Sequence, residues 1–288
     1  MTLTSVPPPP VHQSKLPGWN VMLVGATGTG KTYSVGKLIE SGLKVRLLFT
    51  EPGMETIGQY FADRGKPIPD NVDWIYVAPS APDWKHLIDS AEKINKYAFK
   101  ALAEMSDINK KEYDEFIRIL TALSSFKSAR TGENLGAADE WGTDTVLVVD
   151  SLSGLNMAAM NLVTGSKPVK SLADWGVAIS NLEFLLTKLT TGLRCHFVLT
   201  AHLERETDEV TGGSSLMAST LGKKLAPKIP RFFSDVIQCR REGTSFYWST
   251  SGFNIDLKTR NLTLGDKLAP DFGAIMESWK RNGGVIES

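Results

Sequence analysis

The chain has 288 residues, 42% hydrophobic and 22% charged, with 32 basic residues against 32 acidic ones. That length and composition suit one large α/β domain or two small ones of the ordinary soluble kind. Zero formal charge excludes a global field drawing the chain to nucleic acid or an anionic membrane. No apolar run approaches the ~20 residues that cross a bilayer, and no charged-then-apolar leader opens the chain. Cys195 and Cys239, the two cysteines, lie in apolar stretches that suit buried free thiols. A cytoplasmic protein with no membrane partner is expected.

In chain order, residues 1–17 carry Pro7 to Pro10 and read as an extended arm, with the folded domain over 18–288. Short β-rich apolar runs then alternate with helical spacing. Val21–Val24, Val45–Phe49, Trp74–Val77, Val146–Val149 and His196–Leu199 read as strands, and Thr32–Glu40, Asp83–Tyr97 and Leu172–Leu189 as helices. Strands apolar on both faces and separated by helices predict a largely parallel α/β sheet. Residues 101–141 are longer than a simple crossover and read as an insertion, helical near Glu112–Leu123. After Asp235 the pattern turns antiparallel, through Val236–Arg240, a turn at Glu242-Gly243, Phe246–Ser249 and Ile255–Leu257, ahead of a C-terminal helix.

Between the first strand and the first helix stand Gly25, Ala26, Thr27, Gly28, Thr29, Gly30, Lys31 and Thr32, followed by Tyr33. A strand, a glycine-rich loop ending in Lys-Thr and a helix together make a phosphate-binding loop. The glycines let successive amides point at phosphate oxygens, and the helix N-terminus adds free N–H groups. Lys31 is placed to neutralise the β- and γ-phosphates of ATP and Thr32 to ligate Mg²⁺. The run Thr145–Asp150 ends a buried strand on a carboxylate, a second anchor for Mg²⁺.

Ser151, not a glutamate, follows Asp150, so the group that activates water must come from elsewhere. Glu51 stands just past the second strand, where ligands of such sheets bind, with Glu55 as its competitor. Glu51, the Asp150-Ser151 pair and the polar tip Leu199-Thr200-Ala201-His202 together resemble the RecA-like recombinase and helicase ATPases, most closely the small phage RecA-like (AAA-type) ATPases of single-strand annealing. The resemblance spans roughly Trp19 to Trp279. It implies a RecA-like P-loop fold, Glu51 as general base, and Thr200 or His202 as the group that senses the γ-phosphate.

Glu204 to Ser219 shows neither helical nor strand period and falls where the resemblance places DNA-binding loops. Beyond it Lys223, Lys224, Lys228 and Arg231, with Arg240 and Arg241, form a local basic excess interrupted by Asp235. Lys258 and Arg260 sit where RecA-like assemblies carry a basic finger to the neighbouring subunit's ATP, which implies a homo-oligomer with shared sites. The expected function is an Mg²⁺-dependent ATPase acting on single-stranded DNA in recombination, annealing or repair, with a single-strand-binding or recombination protein as partner. The alternative is a KaiC-like assembly switch with a protein partner. A small-molecule kinase is weaker, since no arginine-rich lid is evident.

Overall fold

A computed structural model describes residues 16–105, 112–207, 213–222 and 224–288. The arm expected over 1–17 therefore lies outside the described residues apart from its last two, and the Pro17 carbonyl accepts a hydrogen bond from Trp279 Nε1 at 2.9 Å. Lys223 also lies outside them.

The first strand, β1 (Asn20–Val24), leads through the phosphate loop into α1 (Lys31–Ile39). There follow β2 (Lys44–Phe49), α2 (Met54–Ala62) and β3 (Val72–Tyr76), then α3 (Trp84–Lys96), α4 (Phe99–Glu104) and α5 (Glu115–Ser124). The second half runs β4 (Thr145–Asp150), α6 (Leu152–Thr164), α7 (Leu172–Thr191) and β5 (His196–Ala201). It closes with β6 (Leu203–Thr207), β7 (Ser214–Ala218), β8 (Asp235–Glu242), β9 (Ser245–Ser249) and α8 (Phe272–Arg281).

Seven strands form the main sheet in the order β3-β2-β4-β5-β1-β8-β9. All neighbours pair in parallel except β8 and β9, which form an antiparallel hairpin. This is the expected RecA-like architecture, a mostly parallel sheet flanked by helices with antiparallel strands at its C-terminal edge. Alternation within each strand feeds two cores. Val21, Leu23, Val146, Val148 and Val198 face α1, α2 and α8, whereas Met22, Val24, Leu147, Val149 and Leu199 face α5, α6 and α7.

Among the described residues between β3 and β4 stand three α-helices that differ in their packing, followed by a stretch without helix over 125–144. Phe116, Ile119 and Leu123 of α5 are buried in the core beneath the sheet. By contrast α3 buries none of its residues. The piece added to the core is therefore α3 with α4, and α5 belongs to the layer that covers the sheet.

Two expectations need correction. The segment 204–219, which lacks a strand period, contains β6 and β7 paired as a separate antiparallel ribbon. Much of β6 is solvated on both sides, so no alternating burial constrained its side chains, and the pairing rests on backbone hydrogen bonds. Ile255–Leu257 is not a strand of the sheet; Ile255 and Lys258 make only isolated bridges, to Leu216 and Val236. The helices α2 and α6 were not anticipated: α2 is only nine residues long, and α6 is apolar over most of its surface and gives little amphipathic signal.

Candidate active site

The strand order sets the site. From β1 the chain crosses over β5 and β4 to reach β2, so the carboxyl ends of β1, β5, β4 and β2 open on one crevice where the connections diverge. Each delivers one group: the phosphate loop from β1, His202 from β5, Asp150 from β4 and Glu51 from β2. These residues, with Tyr33, Arg241 and Phe246, line an open cleft of about 530 Å³.

The loop needs its glycines at particular points. Gly28 and Gly30 have φ of 77° and 89°, a region that favours glycine. A Cβ on Gly30 would also meet the Phe246 ring at 2.5 Å. Lys31 is buried, and its ammonium donates to the carbonyls of Gly25 at 2.9 Å and Ala26 at 3.0 Å. Burial lowers its pKa from the ordinary value, while Cys239, Asp150 and Glu51 act in the opposite direction. A counter-charge held this way exchanges weak carbonyl partners for phosphate oxygens without a long movement.

Thr32 Oγ1 donates to Asp150 Oδ2 at 2.6 Å, so hydroxyl and carboxylate converge on one point. An oxygen pair of this kind, completed by phosphate oxygens, suits Mg²⁺, which takes one or two protein ligands beside its substrate. The donor set thus fits the metal implied by the loop. Thr200, expected among the sensing groups, is fully buried and donates instead to Asp150 Oδ1. It positions the carboxylate and does not face the cleft.

Glu51 is held beside Asp150 by Thr50. The Thr50 amide donates to the Asp150 carbonyl at 2.8 Å, and its hydroxyl accepts from the Ser151 amide at 2.9 Å and donates to the Ser151 carbonyl at 3.0 Å. His202 lies between the two halves of the site, with Nδ1 3.4 Å from Lys31 Nζ and Nε2 3.7 Å from Glu51 Oε2. An ammonium only donates, so Nδ1 accepts and the proton of a neutral ring sits on Nε2, toward Glu51. The competitor Glu55 is exposed on the first turn of α2 and does not line the cleft.

Other candidates lie elsewhere. Lys258 Nζ donates to the Phe233 carbonyl at 2.8 Å, and burial with the nearby Arg260 charge lowers its pKa. The fully buried Asp235 accepts from the amides of Arg260 and Asn261 at 2.8 and 3.0 Å, pinning this loop. Asp235 pairs with Val21 whereas Gln238 pairs with Val24, so Lys258 and Arg260 lie toward the sheet edge opposite the phosphate loop. Neither lines the cleft of its own chain. Lys228 is paired with Glu183 at 2.9 Å, while Lys224 and Arg231 are exposed.

Arg241 and Phe246 are cleft residues that sequence reasoning did not identify as such. They flank the hairpin turn after β8, and only the parallel pairing of β8 with β1 carries that turn to the phosphate loop.

Among curated proteins none matches this chain in sequence. Solved structures include two partial likenesses. The ATPase EscN of the enteropathogenic E. coli type III secretion system, assembled with its central stalk EscO, is 14% identical with a TM-score of 0.40, over 78% of this chain and 42% of that one. The flagellar accessory protein FlaH from Methanocaldococcus jannaschii is 11% identical with a TM-score of 0.31, over 81% of this chain and 77% of that one. The chain spans less than half the length of EscN, and likeness at this level transfers no function. Among the described residues no helix is long and apolar enough to cross a membrane. The AAA domain profile matches residues 17–264, which hold the phosphate loop, Glu51, Asp150 and His202. With that match over most of its length and a P-loop ATPase fold to carry it, the chain belongs to the AAA domain family.

Proposed function

We propose that this chain hydrolyses ATP with Mg²⁺ and uses the cycle to control binding to single-stranded DNA in recombination, annealing or repair. The observation that carries the reading is one continuous path. His202 stands between Lys31 and Glu51, and the next residue begins the β6–β7 ribbon. The far end of the ribbon returns to the same point, where the Ser219 amide donates to the His202 carbonyl at 2.8 Å. Asn156 of α6 donates to the Ser219 carbonyl at 3.0 Å. Beneath the ribbon a short 3-10 helix, Ala226–Phe232, presents Lys228 and Arg231, with Lys224 just before it.

In this reading the loop amides and Lys31 bind the β- and γ-phosphates, and Thr32 and Asp150 hold Mg²⁺. Bound Mg²⁺ supplies neutralising charge to the phosphate oxygens. Glu51 accepts the proton of the attacking water, with its carboxylate oriented by His202 Nε2–H. When Lys31 turns from the Gly25 and Ala26 carbonyls to phosphate, its contact with His202 changes, and the ribbon root moves with the histidine. A homo-oligomer in which Arg260, with Lys258 behind it, reaches a neighbour's phosphates completes the site. A single-strand-binding or recombination protein is the accompanying partner.

The experiment is fluorescence anisotropy of a labelled single-stranded oligonucleotide with ATP across a salt series, beside ATPase rates with and without the oligonucleotide. Lys224→Ala with Arg231→Ala is expected to weaken binding and to flatten the salt slope by roughly one unit per lost phosphate contact. A KaiC-like switch with a protein partner is the second reading, favoured by Glu204 and Glu206 on β6, which a nucleic-acid backbone would repel. Failure of the wild type to bind DNA at low salt with ATP present would transfer the assignment to it.

A further inference from the structure

The phosphate cleft does not end at the phosphate loop. At Tyr33 and Phe246 it meets a second cleft of about 450 Å³, whose lining includes Lys37, Tyr247 and Lys267. The two ends differ in chemistry. Glu51, Asp150 and His202 stand at one, and three aromatic rings at the other. A nucleoside triphosphate has the same polarity, with anionic phosphates at one end and a flat base at the other. Its terminal phosphate must face Asp150 and Glu51 for hydrolysis, which directs its base to the aromatic end.

The aromatic end is already held in place. The Tyr33 and Phe246 rings lie 4.9 Å apart at 38°, and Tyr33 meets Tyr60 edge-on at 4.8 Å. The Tyr33 hydroxyl accepts from Arg64 at 3.0 Å. Phe246 rests on Gly30, where no side chain could fit. The Arg241 guanidinium lies 5.6 Å from its ring centre. Lys267 is paired with Glu242 at 2.7 Å and lies 5.6 Å from the Tyr247 ring centre. Rings 4.9 Å apart admit no base between them, so a base must lie against the cleft side of the pair.

We propose that the second cleft is the nucleoside subsite, in which Phe246, backed by Tyr33, stacks on the purine. Among the described residues, the side chains that line it carry hydroxyls and ammonium groups, from Ser34, Ser245, Lys37 and Lys267, and no carboxylate or amide to read the base edge. Stacking uses the π-face that every base presents. A subsite that holds the base by stacking alone does not tell one purine from the other, so ATP and GTP are expected to bind within about tenfold of each other. The β8–β9 hairpin becomes part of the nucleotide site of its own chain, with Phe246 a binding residue.

This inference rests on the ATPase reading, and the experiment separates the two. Binding of ATP, GTP and inorganic tripolyphosphate is measured by calorimetry with Mg²⁺ for the wild type, Phe246→Leu, Phe246→Tyr and Lys31→Ala. Leucine keeps an apolar contact with Gly30 but has no π-face, and tyrosine restores one. Phe246→Leu is expected to lose about tenfold in ATP affinity, with tripolyphosphate binding unchanged and Phe246→Tyr near wild type. Unchanged ATP affinity in Phe246→Leu, or GTP weaker than ATP by more than tenfold, overturns the stacking subsite. Tripolyphosphate that fails to bind the wild type, or binds Lys31→Ala equally well, overturns the nucleotide reading itself.

Discussion

Replacing Thr200 by valine tests whether this residue serves the carboxylate or the cleft. Thr200 and Asp150 are both buried, and the carboxylate accepts from Thr200 at Oδ1 and from Thr32 at Oδ2. Valine fills nearly the same volume, so the change leaves no cavity and removes only the hydroxyl. A hydrogen bond to a charged group is worth ~1.5–3 kcal/mol, and a buried oxygen left without its donor realises that cost. For a chain of this size the loss lowers the melting temperature by about 5 °C. A carboxylate freed on one side also binds Mg²⁺ less well, by about 10–100-fold, as when any outer support of a metal ligand is lost. Thermal melting and the Mg²⁺ dependence of ATP turnover measure the two effects, and Thr200→Ser, which keeps the hydroxyl, is expected to restore both. Wild-type melting and Mg²⁺ dependence in Thr200→Val would refute the positioning role and return Thr200 to the sensing role.

Glu51→Gln is expected to retain ATP binding and lose about 10²–10⁴-fold in turnover, measured as single-turnover hydrolysis; near-normal turnover would remove Glu51 as the base. The third prediction concerns pH and His196, which is buried, stacked on Trp19 at 4.5 Å and met edge-on by Trp279 at 4.9 Å. Burial lowers its pKa to about 3 from the 6.5 of a free histidine. Between those values the unfolded chain binds the proton and the folded chain does not, so stability falls as pH drops below about 6.5. The loss from this residue reaches about 2 kcal/mol by pH 5. Denaturant melts of the wild type and His196→Phe at pH 8 and pH 5 read it, and an equal pH dependence in both proteins would remove His196 as its source.

The phosphate loop, Asp150 and the main parallel strands were legible in the sequence because each is local. A glycine-rich turn between an apolar strand and a helix has one chemical use, and apolar strands broken by helices permit few sheets. Glu51 was singled out as an acid just past a strand end, where an open parallel sheet exposes its ligands, and His202 through the resemblance; both line the cleft. What required tertiary structure was every relation across the chain. Thr200 lies one residue before the tip of β5, so its side chain points to the face occupied by Asp150, which no local pattern encodes. β6 left no period because it is largely solvated, where burial does not select alternating residues, and β7 is partly buried along its length without alternation. Arg241 and Phe246 read alone as a basic residue and a strand aromatic, more than 200 positions from the loop they adjoin. Parallel pairing of β8 with β1, the antiparallel return of β9, and a glycine with no Cβ beneath the ring carry them to the cleft beside that loop. Local chemistry thus determined that this chain binds phosphate, and strand order decided which distant side chains surround it, because register between strands depends on contacts that are remote in sequence.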